Sequence, residues 1–332
     1  MIMMIIAFLL GLILCLLFGI PYIDFLKKRT IGQYIRDLAP ENHKQKEGTP
    51  TTGGVFIIIA ALLAGITTLF MAQEFTTTAW ILLITFIFYA LAGFQDDFLK
   101  IKGKENKGLS ARGKFLRQIL IALLPVIYVM ITNENATTIT FGKFSLNLMW
   151  FYPVLAVFAI TGASNAYNLT DGLDGLATST GIFAFIACAV IAQISGYSYI
   201  AIVASAVAGA LLGFLRYNKP KAQVFMGDTG SLAIGGLLGV MAVMGKFEIF
   251  LIILAGVFVM ETLSVIIQVA SFKLTGKRVF KMSPIHHHFE LCGYNEKQIV
   301  TAFAIFSMIC SAIAILLFKL AGGSFIKNSQ AT

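Results

Sequence analysis

Ten stretches of almost uninterrupted apolar residues constrain this chain more than any other feature. They cover 3–23, 53–72, 79–95, 116–132, 149–166, 176–194, 200–215, 231–245, 249–271 and 299–321. Each is close to the roughly 20 residues with which an α-helix crosses a bilayer. With 58% hydrophobic residues and a mean hydropathy of +0.85, the chain cannot be a water-soluble globule, and its connections are too short for a sizeable soluble domain. We predict an all-α polytopic membrane protein with about ten transmembrane helices, forming a single domain over 1–332.

The basic residues predict how these helices are oriented. The first stretch lacks the basic leader and the cleavage site of a signal peptide, and its charges at 27–29 follow it, so we expect a retained helix with its N-terminus outside. Alternation from there assigns five connections to the inside, namely 24–52, 96–115, 167–175, 216–230 and 272–298. Together with Arg117 they hold 21 of the 25 Lys and Arg residues. The positive-inside rule therefore predicts both termini outside.

The net charge of +9 belongs to the same inner face. Twelve of the 16 acidic residues lie in these inside connections as well. A face that is strongly basic and also well supplied with Asp suits anionic substrates and a metal ion, so its charge does more than set topology. We expect no nucleic-acid partner.

Five unusual polar strings lie in the inside connections or at their edges. They are KEGTPTTGG (46–54), Asp96-Asp97, NAYNLTDGLDG (165–175), FMGDTGS (225–231) and SPIHHHFE (283–290). Several polar loops that converge on one face are typical of an active site. The sequence therefore predicts that the five inside loops build one.

The Asp96-Asp97 pair falls where the third helix meets the inner surface. Adjacent carboxylates repel one another unless a cation lies between them, so the pair indicates a site for Mg²⁺ or for phosphate chemistry. The alternative is an ordinary solvated helix end that faces Lys100 and Lys102.

Glycines surround Asp228 in the FMGDTGS string. They allow a tight turn with exposed amide groups, and Ser231 can cap the following helix, whose N-terminus favours an anion. A lone carboxylate beside such amides suits a Mg²⁺-diphosphate. A plain helix-capping turn is the alternative.

Three polar residues in NLTDGLDG are spaced three apart, at Asn168, Asp171 and Asp174. One helical turn can present all three on the same side, which favours contacts to a polar ligand over ordinary capping. The string is not an EF-hand, because the ligand spacing and the terminal Glu are missing.

The three consecutive histidines, His286, His287 and His288, cannot all point in one direction on a helix, and they lack the spacing of a zinc helix. Binding or polarising phosphates near neutral pH is the functional interpretation. The structural alternative is that they cover the membrane surface beside Lys281.

Two further features complete the set. Lys46 precedes a glycine- and proline-containing string at the mouth of the second helix, where its ammonium can meet a phosphate. Glu261 lies in the middle of the ninth stretch, where a carboxyl is expected either to be hydrogen-bonded to a neighbouring helix or to be functional.

Together these strings resemble the polyprenyl-phosphate N-acetylhexosamine-1-phosphate transferases. The similarity runs in order from Lys46 to about Tyr294 and so covers nearly the whole chain. Members that transfer GlcNAc-1-phosphate carry a different histidine loop, so the HHHFE segment favours a muramoyl-pentapeptide substrate.

The resemblance implies an activity, a cofactor and partners. It implies transfer of phospho-MurNAc-pentapeptide from UDP-MurNAc-pentapeptide to undecaprenyl phosphate, giving lipid I and UMP with Mg²⁺ as cofactor. It also implies a homodimer in the bacterial cell membrane with its active site on the cytoplasmic face. Direct displacement and a phospho-enzyme intermediate both stay open.

The same resemblance implies roles for individual residues. Asp228 would ligate Mg²⁺, Asp96 or Asp97 would orient or deprotonate the lipid phosphate, and Phe225 would stack on uracil. His286, His287 and His288 would lie near the phosphates or the sugar. The other substrate-binding residues implied are Lys46, Thr51, Asn168, Asp171, Asp174, Gly175, Leu176 and Asn218.

Two alternative functions remain at this point. A UDP-GlcNAc:undecaprenyl-phosphate GlcNAc-1-phosphate transferase would share the aspartates. A transporter of an anionic lipid or nucleotide sugar would also use many spans and a basic face, but transporters place their polar groups near the midplane, where this sequence offers little beyond Glu261.

Overall fold

The computed structural model describes residues 1–29, 48–103 and 108–322. Within these ranges, ten helices are long and apolar enough to cross a membrane, and each overlaps one of the ten predicted stretches. The predicted all-α polytopic membrane protein is confirmed. The helices of the described chain are α1 (Ile2–Lys28), α2 (Gly54–Met71), α3 (Thr77–Gly103), α4 (Ala111–Thr132), α5 (Tyr152–Thr170), α6 (Leu176–Ile194), α7 (Ser198–Asn218), α8 (Gly227–Met244), α9 (Glu248–Leu254), α10 (Gly256–Thr275), α11 (Ile285–Leu291) and α12 (Glu296–Leu320).

The ninth apolar stretch is not one helix. It divides into the short α9 and the longer α10 at Ala255, whose φ of −94° and ψ of 21° leave the helical range. Gly256 follows at a close approach to α12, because a methyl group built on it would lie 2.8 Å from the Cys310 sulfur. Apolar composition extends across the break, so the sequence pattern did not predict it.

A small β-hairpin was also not predicted. Strand β1 (Thr138–Phe141) pairs antiparallel with β2 (Phe144–Asn147), and Gly142 has the positive φ of 61° that the tight turn requires. A 3₁₀ turn (Met149–Phe151) leads from the hairpin into α5. Each strand has four residues, which is too short for hydrophobic alternation to register clearly in the sequence.

The core lies around α7 and α8. In their most apolar windows, 83% and 89% of the residues are buried, against 22% in α1 and 28% in α4. Small residues let the central helices pack closely, as a methyl group built on Gly209 of α7 would lie 1.9 Å from the Phe8 carbonyl oxygen of α1. The peripheral helices are left with broad apolar faces for lipid, while α8 is held firmly on all sides.

Candidate active site

The N-terminus of α8 is capped by a carboxylate from α3. Asp97 Oδ1 accepts a hydrogen bond from the Asp228 N–H at 3.0 Å. Its Oδ2 accepts from the Thr229 N–H at 2.9 Å and from the Thr229 hydroxyl at 2.6 Å. An acidic cap of this kind satisfies orphan amide groups and favours the positive end of the helix dipole. Asp97 therefore uses both of its oxygens to fix the position of Asp228.

The glycine at position 93 permits this contact. A methyl group built on Gly93 of α3 would lie 2.1 Å from the Asp228 carbonyl oxygen, so only glycine lets the two helices approach this closely. The close approach brings the Asp97 side chain, one turn further along α3, onto the first turn of α8.

The carboxylate of Asp228 is surrounded by donors. Lys100 Nζ lies 2.8 Å and Lys114 Nζ 2.6 Å from its Oδ2. Asn168 Nδ2 donates to its Oδ1 at 2.8 Å and to the Ser231 hydroxyl at 2.7 Å. Four helices thus contribute to one point, through the C-terminal ends of α3 and α5 and the starts of α4 and α8.

Asp96 completes a group of three carboxylates. Its Oδ2 lies 2.6 Å from Lys100 Nζ, and its Oδ1 accepts from the Leu109 N–H at 2.7 Å. One oxygen from each of Asp96, Asp97 and Asp228 lies within 4.8 Å of the others. Carboxylate oxygens are the ligands that Mg²⁺ prefers, so the donor set fits this ion. Both Asp97 oxygens accept from the backbone of α8, whereas Asp96 Oδ2 and Asp228 Oδ2 contact lysine ammonium groups, so Asp96 and Asp228 are the better placed to hold it.

The two lysines were not predicted as site residues. Lys100 entered only through the alternative of a solvated helix end, and Lys114 lies on the next helix along the chain. Their side chains are 32% and 20% exposed, so each ammonium group neutralises the carboxylates and still faces solvent. The spacing of Lys100, one turn after Asp96, was the available signal, but i,i+4 Asp–Lys pairs are common on helices.

Asp171 lies at the end of α5 in an unusual electrostatic environment. Desolvation of its carboxyl, with the negative charges of Asp228, Asp97 and Asp174 added, raises its pKa from 3.8 to about 8. Asp171 therefore keeps a proton at neutral pH in the protein alone. A bound cation would oppose this effect by favouring the ionised form.

The loop after Asp171 is braced by its own polar residues. Asp174 Oδ2 accepts from the Ala222 N–H at 3.0 Å, and the Asp174 N–H donates to Glu296 at 2.7 Å. Asn218 Oδ1 accepts from the Gly175 N–H at 3.1 Å and from the Thr178 hydroxyl at 2.7 Å, while its Nδ2 donates to the Val224 carbonyl. These residues hold the loop between α5 and α6 against the one between α7 and α8.

Gly175 and Leu176 mark the start of α6. Gly175 has a φ of 80°, a left-handed conformation that glycine adopts without strain. The Leu176 side chain is fully buried in an apolar cluster with Leu173, Ile299 and Phe303. Any contribution of Leu176 to a ligand site is therefore made by its backbone.

The strings around Thr51 and Phe225 meet through their backbones. The Phe225 N–H donates to the Pro50 carbonyl, and the Gly53 N–H donates to the Phe225 carbonyl, both at 2.8 Å. Thr51 is buried beside Gly227, while the Phe225 ring is half-buried. This pairing holds two of the five predicted loops together next to Asp228. Lys46 lies outside the described residues.

The three histidines have three different environments, as their spacing on a helix requires. His286 is fully buried, and its Nδ1 lies 3.1 Å from Glu261 Oε1. His287 Nδ1 lies 2.7 Å from Glu290 Oε2, and His288 Nδ1 accepts from the Lys281 N–H at 3.1 Å. His286 reaches the other motifs through Gly172, on which a methyl group would lie 2.3 Å from its Nε2. The expectation that the histidines lie near phosphates or sugar stays a prediction.

The sequence of this chain is similar to a protein family and to several named proteins. The profile described as glycosyl transferase family 4 matches residues 79–246. A phospho-N-acetylmuramoyl-pentapeptide-transferase of Oceanobacillus iheyensis is 46% identical over 323 residues, which cover 95% of this chain and 96% of that protein. Proteins of the same name from Halalkalibacterium halodurans and Bacillus licheniformis are 46% and 44% identical, covering 89% and 92% of this chain and 91% and 94% of their own lengths.

Proposed function

This chain belongs to glycosyl transferase family 4, and we propose that it transfers phospho-MurNAc-pentapeptide from UDP-MurNAc-pentapeptide to undecaprenyl phosphate. The products would be lipid I and UMP, in the first membrane step of peptidoglycan synthesis. Relatives named for this reaction match almost end to end, which supports the assignment.

The observation that carries the proposal is the cluster of three carboxylates with Lys100 and Lys114 at the junction of four helices. Phosphoryl transfer between two phosphorylated substrates requires positive charge and fixed positions more than covalent chemistry from the protein. The side chains of the two lysines are partly exposed, and their ammonium groups would contact phosphate oxygens of both substrates. The donors around Asp228 fix that carboxylate to one place.

Asp228 and Asp96 would hold Mg²⁺, which when bound supplies neutralisation of the donor diphosphate as a Lewis acid. Asp97 would keep Asp228 in position for the metal ion, because it accepts hydrogen bonds from the first turn of α8. Asp96 is the better placed of the pair to orient the lipid phosphate, because only one of its oxygens is taken by a backbone amide. The second pKa of a phosphate monoester is near 6, so positioning this nucleophile matters more than deprotonating it.

The nucleotide would lie where the loops of Thr51, Phe225 and Asp174 meet. Phe225 would stack on uracil with its half-buried ring, and Asn168 and Asp171 would connect this pocket to the carboxylates. Asp174 and Asn218 would shape the pocket through the backbone around Gly175, because their side chains are engaged there. Lys46 and the histidines would complete it on the phosphate and sugar side.

The same proposal includes the setting of the enzyme. The site would lie on the cytoplasmic face of the bacterial cell membrane with both termini outside, an orientation that the distribution of basic residues supports. A single domain and a homodimer are further parts of the proposal, the second from the family resemblance alone.

The test is to purify the protein and to supply UDP-MurNAc-pentapeptide, undecaprenyl phosphate and Mg²⁺, with UMP release as the readout. UMP and a lipid-linked product are expected, and both should disappear when either substrate or Mg²⁺ is omitted. Release with UDP-GlcNAc alone would move the assignment to the GlcNAc-1-phosphate transferases. No release with either donor, together with movement of a substrate across vesicles, would replace the enzyme with a transporter.

A further inference from the structure

Glu261 and His286 form a buried pair, and the proposed function assigns no role to Glu261. Glu261 lies in the second turn of α10, and His286 lies in the first turn of the short α11 that folds back against it. The distance from His286 Nδ1 to Glu261 Oε1 is 3.1 Å, and both side chains are no more than 1% exposed. An ionisable side chain such as Glu261 inside a candidate membrane span is costly and is usually paired or functional.

Each member of the pair also has a polar atom left over. Across residues 1–29, 48–103 and 108–322, no hydrogen-bond partner is found for Glu261 Oε2 or His286 Nε2, although both are fully buried. Most buried polar atoms in native proteins do have partners, so a pair with two exceptions is not explained by packing alone.

The imidazole ring lies directly on the loop that carries the nucleotide-site aspartates. A methyl group built on Gly172 would lie 2.3 Å from His286 Nε2 and 2.7 Å from its Cε1. Gly172 follows Asp171, and Asp174 comes two residues later. Through His286, Glu261 in the second turn of α10 is connected to a loop that is otherwise held from the side of α7 and α12.

The hydrogen bond determines how the ring is presented. When one ring nitrogen of a histidine is tied to a carboxylate, the tautomer and the direction of the other nitrogen are fixed. With Nδ1 directed at Glu261 Oε1, Nε2 faces the Gly172 backbone, and an ionised Glu261 would accept from a protonated Nδ1. Without that acceptor, the ring is free to turn about its side-chain bonds, and the loop loses the surface on which it rests.

We propose that Glu261 is a positioning residue that acts through His286. It holds the ring against Gly172 and thereby fixes Asp171 and Asp174 for the nucleotide-sugar donor. The donor's identity rests on the proposed function, whereas the pairing and its effect on the loop do not.

The kinetic test compares three substitutions. Glu261→Met removes the acceptor while keeping an unbranched side chain, and Glu261→Gln restores a carbonyl oxygen that can accept from Nδ1. Ser264→Ala is the matched control, because it deletes another buried polar group on the same helix, whose hydroxyl donates to the Glu261 carbonyl at 2.6 Å. Glu261→Met should raise the KM for UDP-MurNAc-pentapeptide about tenfold with kcat changed less than about threefold, since the donor site is loosened while the reacting groups stay in place. The Gln variant and the Ser264 control should stay near the wild-type KM.

A spectroscopic test avoids the substrate altogether. In protein labelled with ¹⁵N-histidine, the Nδ1 signal of His286 should report a protonated, hydrogen-bonded nitrogen in the wild type and in Glu261→Gln, and should shift in Glu261→Met. Failure of the wild type to release UMP would count against the proposed function and leave this readout intact. A His286 signal unchanged in Glu261→Met would overturn the pairing itself.

Two results would overturn the positioning role. One is a wild-type KM in folded Glu261→Met, and the other is a lower unfolding temperature with unchanged kinetics, which marks a purely structural residue. If Glu261→Met does not fold, Gly172→Ala tests the same contact from the other side, because its methyl group displaces the ring. The same rise in KM is expected there, and a wild-type KM would refute the inference.

Discussion

Replacing Asp97 with alanine should release α8 from α3. The carboxylate accepts two amide hydrogen bonds and one hydroxyl hydrogen bond from the first turn of α8. A buried donor left without an acceptor costs about 1–3 kcal/mol, so the two amides alone predict a loss of about 2–6 kcal/mol. The Thr229 hydroxyl can rotate to another acceptor and adds less. This loss is large against the roughly 5–15 kcal/mol that stabilises a typical protein.

The same substitution should impair turnover of the molecules that remain folded. Asp228 donates the first of these hydrogen bonds, and a displacement of about 1 Å at a reacting centre can reduce the rate about 100-fold. Unfolding temperature in detergent and UMP release per folded molecule measure the two effects separately. Asp97→Asn keeps one acceptor oxygen and should lose less stability, and Thr229→Val removes only the hydroxyl and should lose least.

Two outcomes would contradict this reasoning. Wild-type stability and turnover in Asp97→Ala would show that the cap does not hold α8 in place. Lost turnover with wild-type stability would show instead that the Asp97 carboxylate acts on substrate rather than on the helix.

Three further predictions follow from the same geometry. Asp228→Asn should lower the rate of UMP release about 1000-fold or more and weaken its dependence on Mg²⁺. The unfolding temperature should stay close to wild type, because the backbone hydrogen bond to Asp97 persists. Near-normal turnover would refute the assignment of Asp228 as a metal ligand. Lys114→Met should lower kcat/KM about 10- to 100-fold, because it removes a charge-assisted hydrogen bond to Asp228. The control is Arg117→Met, one turn away, whose side chain donates to the Gly113 carbonyl and whose loss should leave kcat/KM near wild type. Equal effects of the two substitutions would argue against a specific role for Lys114. Because the pKa of Asp171 is raised to about 8, the folded protein keeps a proton that the unfolded chain loses near 3.8, so the stability of the fold should decrease as the pH rises from about 4 to 8. Between pH 5 and 9, the unfolding temperature of Asp171→Asn should therefore decline less steeply than that of the wild type. Parallel curves would show that this carboxyl is not the cause of the decline.

The membrane spans were predictable because the bilayer itself selects for them. A helix that must bury about 20 residues in lipid leaves an apolar run that no loop interrupts, and all ten runs correspond to helices of the described chain. The break at Ala255 was not predictable on the same grounds, since both halves of a broken helix stay apolar. Directly after the break, Gly256 packs against Cys310, a tertiary contact that an apolar pattern does not reveal.

The candidate site shows a similar division. Asp96 and Asp97 could be recognised because adjacent carboxylates repel without a cation, and Asp228 because glycines flank it, and the structure brings the three together. Sequence pattern gave no way to assign Asp97 to a helix cap, because the capped residues lie 131 and 132 positions further along the chain. Lys114 was missed for the same reason, as its partner Asp228 lies on another helix.

Helix α8 is the most buried of the candidate spans and also carries Asp228, which explains why the site can be both charged and well ordered. It is the helix whose apolar window is most buried, so its position is set by packing on all sides. Asp228 lies in its first turn, whose amide groups are held by Asp97 and favour negative charge. Repulsion between Asp97 and Asp228 is offset because Asp97 binds the amides of α8 while Lys100 and Lys114 bind the Asp228 carboxylate. Three carboxylates that would repel one another on a loop are therefore held together by the start of one helix and by two lysines. The same lysines supply the positive charge that phosphate groups need.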